Sequence, residues 1–189
     1  MSKQEQLENL SCTVRWCSLC ELYFKRNNTV FGDGYVDADL MLIGESPGER
    51  EDAIGKPFVG RSGKLLEKIL EYIKLDRSKV YIANIIKCRP PDNRNPKDEE
   101  VQCCIPYLEK QIDIIKPKII VTLGSVATQR LLGIKENISK LKGTWQEYKG
   151  IKVLPTFHPS YLLRQYTEEN RESVKRDFDK VRAALAGMQ

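Results

Sequence analysis

Hydrophobic positions in this chain follow two rhythms. Short unbroken apolar runs rich in β-branched residues, "ADLMLIGE", "KVYIANIIK" and "KIIVTLG", predict three buried strands. Between them the spacing lengthens. "GKLLEKILEYIKL" sets Leu65, Leu66, Ile69, Leu70 and Ile73 on one helical face. "PKDEEVQCCIPYLEKQIDII" predicts a helix with Pro96 and acidic residues in its first turn, where the helix dipole favours them. "SVATQRLL" opens another directly after Gly124. "TWQEYKGIKVLPTF" predicts a hairpin-like pair turning at Lys149 and Gly150, and "TEENRESVKRDFDKVRAALAG" a final helix capped by Thr167.

Strands alternating with helices predict an α/β fold whose mostly parallel sheet is covered on both faces. A length of 189 residues fits a single domain over residues 1–189, with room for a real core. In such sheets ligands sit at the carboxyl ends of the strands. The segments there are "GESPGERED", Asn84 with "KCRPP", "GSVAT", and His158, the only histidine of the chain. They are expected to share one edge.

Composition narrows the class. With 41% hydrophobic and 30% charged residues the chain is not disordered. No apolar run reaches the length of a membrane span, and "MSKQEQLENL" lacks a signal-peptide core, so a cytoplasmic protein without a membrane partner is expected. The net charge of +5 suits a polyanionic partner without demanding one. Abundant Lys and Glu lean towards a thermophilic source.

The six cysteines matter more for spacing than for number. Cys17 and Cys20 form "CSLC", Cys88 lies in "IIKCRPP", and Cys104 follows in "VQCCIPYL", with Cys12 and Cys103 as extras. Four thiolates suit a structural zinc or an iron–sulfur cluster. A zinc ribbon pairs two CxxC motifs, whereas here the second half is split by fifteen residues, which favours a cluster.

"GESPGEREDAIGKPFVGRSGKLLEKIL" joins a strand to a helix through a loop whose glycines let a ligand approach the backbone closely. It is not a phosphate-binding P-loop, because neither Gly-Lys pair has the required offset or a following Ser or Thr, and Glu45, Glu49, Glu51 and Asp52 would repel a triphosphate. On the residues alone, Phe58 reads as a core residue ahead of a ligand-facing one.

Together, "CSLC", "GESPGEREDAIGKPFVGRSGKLL", "ANIIKCRPPDNRNPKDEEVQCCIPYLEKQI", "VTLGSVAT" and "TFHPSYLLR" resemble the family-4, iron–sulfur-containing uracil-DNA glycosylases, over most of the chain from Cys17 onward. The resemblance implies a three-layer α/β/α sandwich, a [4Fe–4S] cluster, and hydrolysis of the N-glycosidic bond of deoxyuridine in DNA. It puts the cluster ligands on Cys17, Cys20, Cys88 and Cys104; the family pattern has its ligand two residues before the Pro, which selects Cys104 over Cys103. It puts the uracil-stacking aromatic on Phe58, the base-reading amide on Asn84 and the motif-2 histidine on His158. Glu45 and Glu51 match acidic positions of the pocket.

These residues suit the chemistry. A base must leave its stack to be hydrolysed, and Phe58 offers a stacking face. The Asn84 carboxamide complements uracil O4 and N3–H. An N–H of His158 and the backbone amides from Glu45 to Gly48 can stabilise charge developing on uracil O2, with Gly44 and Ser46 among the expected substrate-binding positions. The position where some glycosylase families place an aspartate is Ser46; either Glu45 or Glu51 activates water, or the bond breaks first and ordinary bound water captures the sugar cation, the scheme we prefer. Leu162 and Leu163 are candidate wedges for the duplex hole, and Arg61, Ser62, Ser125, Ser160 and Arg164 candidate DNA contacts. The partner expected is uracil-containing DNA, single- or double-stranded, met by a monomer, with a sliding clamp as a candidate further contact. The rival readings are a glycosylase for a broader set of deaminated bases and a non-catalytic iron–sulfur nucleic-acid-binding protein.

Overall fold

The computed structural model describes residues 1–188. Its elements in chain order are α1 (Lys3–Arg15), β1 (Asp33–Gly34), β2 (Leu40–Gly44), α2 (Glu49–Ile54), α3 (Arg61–Tyr72), β3 (Tyr81–Asn84), α4 (Asp98–Ile115), β4 (Ile119–Leu123), α5 (Ser125–Leu132), α6 (Ile138–Leu141), β5 (Gln146–Tyr148), β6 (Ile151–Thr156), α7 (Pro159–Arg164) and α8 (Glu168–Ala186). One six-stranded sheet runs β1-β3-β2-β4-β6-β5. Its four central strands are parallel, and short antiparallel strands close both edges.

The central strands are apolar throughout because both faces are covered. Alternation sends Met41 and Ile43 to one side, where they pack with Leu7 of α1, Leu108 and Ile112 of α4 and Leu131 of α5. Leu40, Leu42 and Val121 point the other way, against Leu66 and Leu70 of α3, Leu162 of α7 and Phe178 of α8. This is the expected three-layer α/β/α sandwich. The hairpin turns at Lys149 and Gly150, both at positive φ, as a tight two-residue connection requires.

Two details depart from the sequence expectation. The strand read from "KVYIANIIK" ends at Asn84, although Ile85 and Ile86 still donate to the carbonyls of Gly44 and Glu45. Their apolar character comes from burial under α4 rather than from strand pairing. The N-terminal α1, which lies outside the predicted elements, is an amphipathic helix opened by a Ser2/Glu5 capping box.

Two polar clamps hold the strand ends in place. Asp177 of α8 is buried and accepts from Thr156 Oγ1 at 2.6 Å and from Lys142 Nζ at 2.6 Å, fixing the chain two residues before His158. Glu100 receives Arg94 through two nitrogens, at 2.9 and 2.6 Å, and the Lys97 N–H, which sets the Pro-rich loop between β3 and α4.

Candidate active site and cysteine chamber

The carboxyl ends of β2, β3, β4 and β6 open into one cleft, lined by Glu45, Ser46, Gly48, Glu51, Phe58, Asn84 and His158, among others. Of the strand-end segments expected to share an edge, residues of "GESPGERED", Asn84, "GSVAT" and His158 meet in this cleft, whereas Lys87 and Cys88 of "KCRPP" line a separate space. The N-caps of α2, α3, α5 and α7 are Gly48, Gly60, Gly124 and His158, and all four line the cleft. The three glycines bring no side-chain cap, so the first-turn N–H groups of α3 and α5 stay open to an anion. Arg61, Ser62, Ser125, Ser160 and Arg164 stand at this same rim.

The cleft floor is tight. Gly44 carries no side chain because a Cβ there would collide with Asn84 Oδ1 and come within 2.8 Å of the Phe58 ring. Phe58 is held at positive φ, with its carbonyl and that of Pro57 both accepting from Arg77. Its ring is largely buried in the core yet lies 5.6 Å, centroid to centroid, from the His158 ring. Phe58 is thus a core residue that also lines the cleft.

Asn84 is 2% exposed, and its Oδ1 is, among the described residues, the buried side-chain oxygen or nitrogen left without a hydrogen-bond partner. Such an acceptor is costly to keep. His158 caps α7: Ser160 N–H donates to Nδ1 at 3.0 Å, and the Ser160 hydroxyl lies 2.8 Å from the same nitrogen. With Nδ1 serving as acceptor, the ring hydrogen is on Nε2. Burial, then the Arg164 charge, lowers the His158 pKa to about 4 against a weaker pull from Glu51, so the imidazole is neutral.

The two glutamates part company. Glu51 Oε1 accepts from the N–H groups of Val59 and Gly60, both at 2.8 Å, and so shapes the Phe58 loop. Glu45 lines the cleft with no donor to its carboxylate among the described residues, and burial raises its pKa. Asp52, in the same motif, is buried and accepts from the backbone N–H groups of Asn27 and Asn28, tying α2 to the N-terminal segment.

Leu162 corrects the sequence expectation of a DNA contact. It is 3% exposed inside the core, whereas Leu163 is 38% exposed. The single helical turn of α7 can turn only one of two adjacent leucines outward. Sequence reasoning missed Asn93, Asn95, Asn137 and Tyr161, which also line the cleft. The two asparagines of "PDNRN" sit in a turn-rich loop whose path the sequence pattern does not give.

A second chamber lies beyond β3. Cys17, Cys20, Cys88, Cys103 and Cys104 all line it, while Cys12 is exposed elsewhere. Among the described residues no three Cys, His, Asp or Glu side chains gather closely enough for one metal ion. The cysteines around this space offer an all-sulfur donor set, which suits thiolate ligation of a zinc ion or an iron–sulfur cluster. Two sulfurs already have N–H donors: Arg26 Nη1 reaches Cys88 at 3.3 Å, and the Lys87 backbone reaches Cys104 at 3.2 Å. Such donors are usual around cluster thiolates.

The cleft lies at the carboxyl ends of a mostly parallel sheet, where α/β folds bind ligands, and residues 31–185 match the Uracil DNA glycosylase superfamily. The chain is 44% identical to the type-4 uracil-DNA glycosylase of Thermotoga maritima over 97% of both chains. It is 44% identical to that of Sulfurisphaera tokodaii over 94% of this chain and 84% of the relative, and 40% identical to that of Archaeoglobus fulgidus over 94% and 92%. The chain belongs to the type-4 uracil-DNA glycosylases of that superfamily.

Proposed function

We propose that the cleft takes up a uracil flipped out of DNA and that the whole chain, as one domain of residues 1–189, works as a monomer to hydrolyse its bond to deoxyribose. The observation that carries this is the orphaned Asn84 Oδ1. A buried acceptor close to Gly44 and lining the same cleft as the Phe58 ring awaits a donor, and uracil N3–H is one, while Asn84 Nδ2–H can serve O4. Cytosine presents the opposite edge and would leave like groups facing each other.

Phe58 stacks on the extruded base. The C1′–N1 bond breaks first, and its electron pair leaves with uracil. The charge spreads to O2, where His158 Nε2–H donates; a neutral ring held by Ser160 needs no reorganisation to do so. Water then adds to C1′ and yields a proton to Glu45, the cleft carboxylate free of other duties. Glu51 keeps the loop in shape. The open N–H groups at α3 and α5, with Arg61, Ser62, Ser125, Ser160 and Arg164, hold phosphates, and Leu163 fills the vacated stack.

Cys17, Cys20, Cys88 and Cys104 are the residues that would hold a [4Fe–4S] cluster, which when bound supplies iron–thiolate bonds linking the N-terminal segment to the Pro-rich loop. Arg26 and the Lys87 amide support the sulfurs. The test is direct. A uracil-containing oligonucleotide should be cut by alkali after incubation with the protein, and its thymine counterpart should not. Asn84→Asp should lower the single-turnover rate by about 10²–10³, because a carboxylate cannot donate to O4. Wild-type rates in that variant would remove Asn84 from the site.

A further inference from the structure

Among the described residues, Lys87 is the one lysine in the buried set, at 1% exposed, and the reaction makes no use of it. Its ammonium donates to the Asn84 carbonyl at 2.9 Å and to Gln111 Oε1 at 2.6 Å. Gln111 is itself fixed, with Nε2 donating to the Phe31 carbonyl at 3.0 Å and to the Tyr81 hydroxyl at 3.1 Å. Neither partner of the ammonium is a carboxylate. A hydrocarbon side chain of the same length would fill the space without giving up the hydration of a charge, so packing does not account for a lysine here.

Strand geometry does. Ile85 N–H bonds to Gly44 of β2, so the Asn84 carbonyl, one residue earlier, points to the opposite side of β3. There β1 is only two residues long and pairs Tyr81 and Ile82, stopping short of Asn84. A buried carbonyl is left without a strand partner, at the residue whose side chain faces the base. Lys87 reaches back three residues to cap it. The remaining polar groups of Lys87 run the other way: its N–H donates to Cys104 Sγ at 3.2 Å, and its carbonyl accepts from Val30 N–H at 2.7 Å. Cys88 is the next residue.

We propose that Lys87 is a positioning residue for uracil recognition, which holds the Asn84 backbone at the cleft floor and ties that backbone to the cysteine chamber. It rests on the reading of Asn84 as the base-reading amide. The consequence is that the stability of the metal-binding loop and the accuracy of base reading pass through one side chain.

A double-mutant cycle on the iron-loaded protein tests this. Single-turnover excision from a uracil-containing single strand is measured for the native protein, Lys87→Met, Asn84→Asp and the double variant, with iron per chain determined for each. Lys87→Met should lower the rate about 10–100-fold, the effect of a small displacement of a recognition group. In the Asn84→Asp background the same change should cost less than about threefold, because the group it positions no longer reads the base. Losses that multiply, a Lys87→Met rate equal to the native one, or a loss that follows iron content would each overturn the role. A native rate in Asn84→Asp alone overturns the reading beneath it, and the proposal with it. Should Lys87→Met fail to fold, Gln111→Met enters the same cycle, since it releases the ammonium without removing it.

Discussion

His158 is held by its neighbours in one protonation state. The Ser160 amide occupies Nδ1, and burial keeps the ring neutral down to about pH 4. His158→Ala should therefore lower single-turnover excision by about 10²–10³, as loss of an oxyanion donor does. Binding of uracil-containing DNA should change far less, because the charge is absent before bond cleavage. An equal loss in binding and rate would make the imidazole structural. The same shift has a stability consequence. Its folded pKa lies below the ordinary 6.5, so as pH falls from about 6.5 to about 4 the unfolded chain binds the proton first and the fold loses stability. Thermal melts over that window should drop more steeply for the native protein than for His158→Gln. At this scale the sequence told part of the site: Asn84 ends β3 and His158 follows β6, and strand ends are where α/β sheets bind ligands, whereas Phe58 lies beyond α2 and only the family resemblance pointed to it. Lys87 was hidden because a lysine closing an apolar run looks like a side chain reaching for water.

At the level of elements, burial separates two adjacent leucines that the sequence could not. Leu162→Ala should destabilise the fold by about 2–5 kcal/mol, read by denaturant unfolding, with excision from single strands kept in what remains folded. Leu163→Ala should leave stability alone and slow excision from paired DNA more than from single strands, where there is no duplex gap to fill. Equal slowing on both substrates would remove Leu163 from that role. The longer helices and the central strands were legible because their apolar periods are strong. β1 was not, since two residues carry no period, and "KVYIANIIK" was read too long because burial and strand pairing leave the same apolar trace. The phase of α7, six residues long, is set by how His158 and Pro159 start it rather than by any repeat.

For the whole molecule, cleft and cysteine chamber are two ends of one scaffold. Protein purified without air should carry about four irons per chain and absorb in the visible blue. Replacing Cys17, Cys20, Cys88 or Cys104 by Ser should each lower iron and melting temperature, and Cys12→Ser should do neither; zinc in place of iron would overturn the assignment. The resemblance marked the four ligands, but not that Cys103 lines the same chamber, because two adjacent helical cysteines need not face alike. The chamber and the α1–α4 contact beside it join parts of the chain that are made at different times. Lys3 donates to the Ile115 carbonyl, Arg26 to Cys88 Sγ, and Cys103 Sγ to the Leu19 carbonyl, spanning 112, 62 and 84 residues. Lys3 and Leu19, made early on the ribosome, wait for α4 to supply their partners, although Asn27 and Asn28 close earlier against Asp52. On the cluster reading, iron loading comes late in the birth of each molecule, and a nascent chain halted before Cys104 emerges should present "CSLC" as open thiols, reactive to alkylating agents that the finished protein resists.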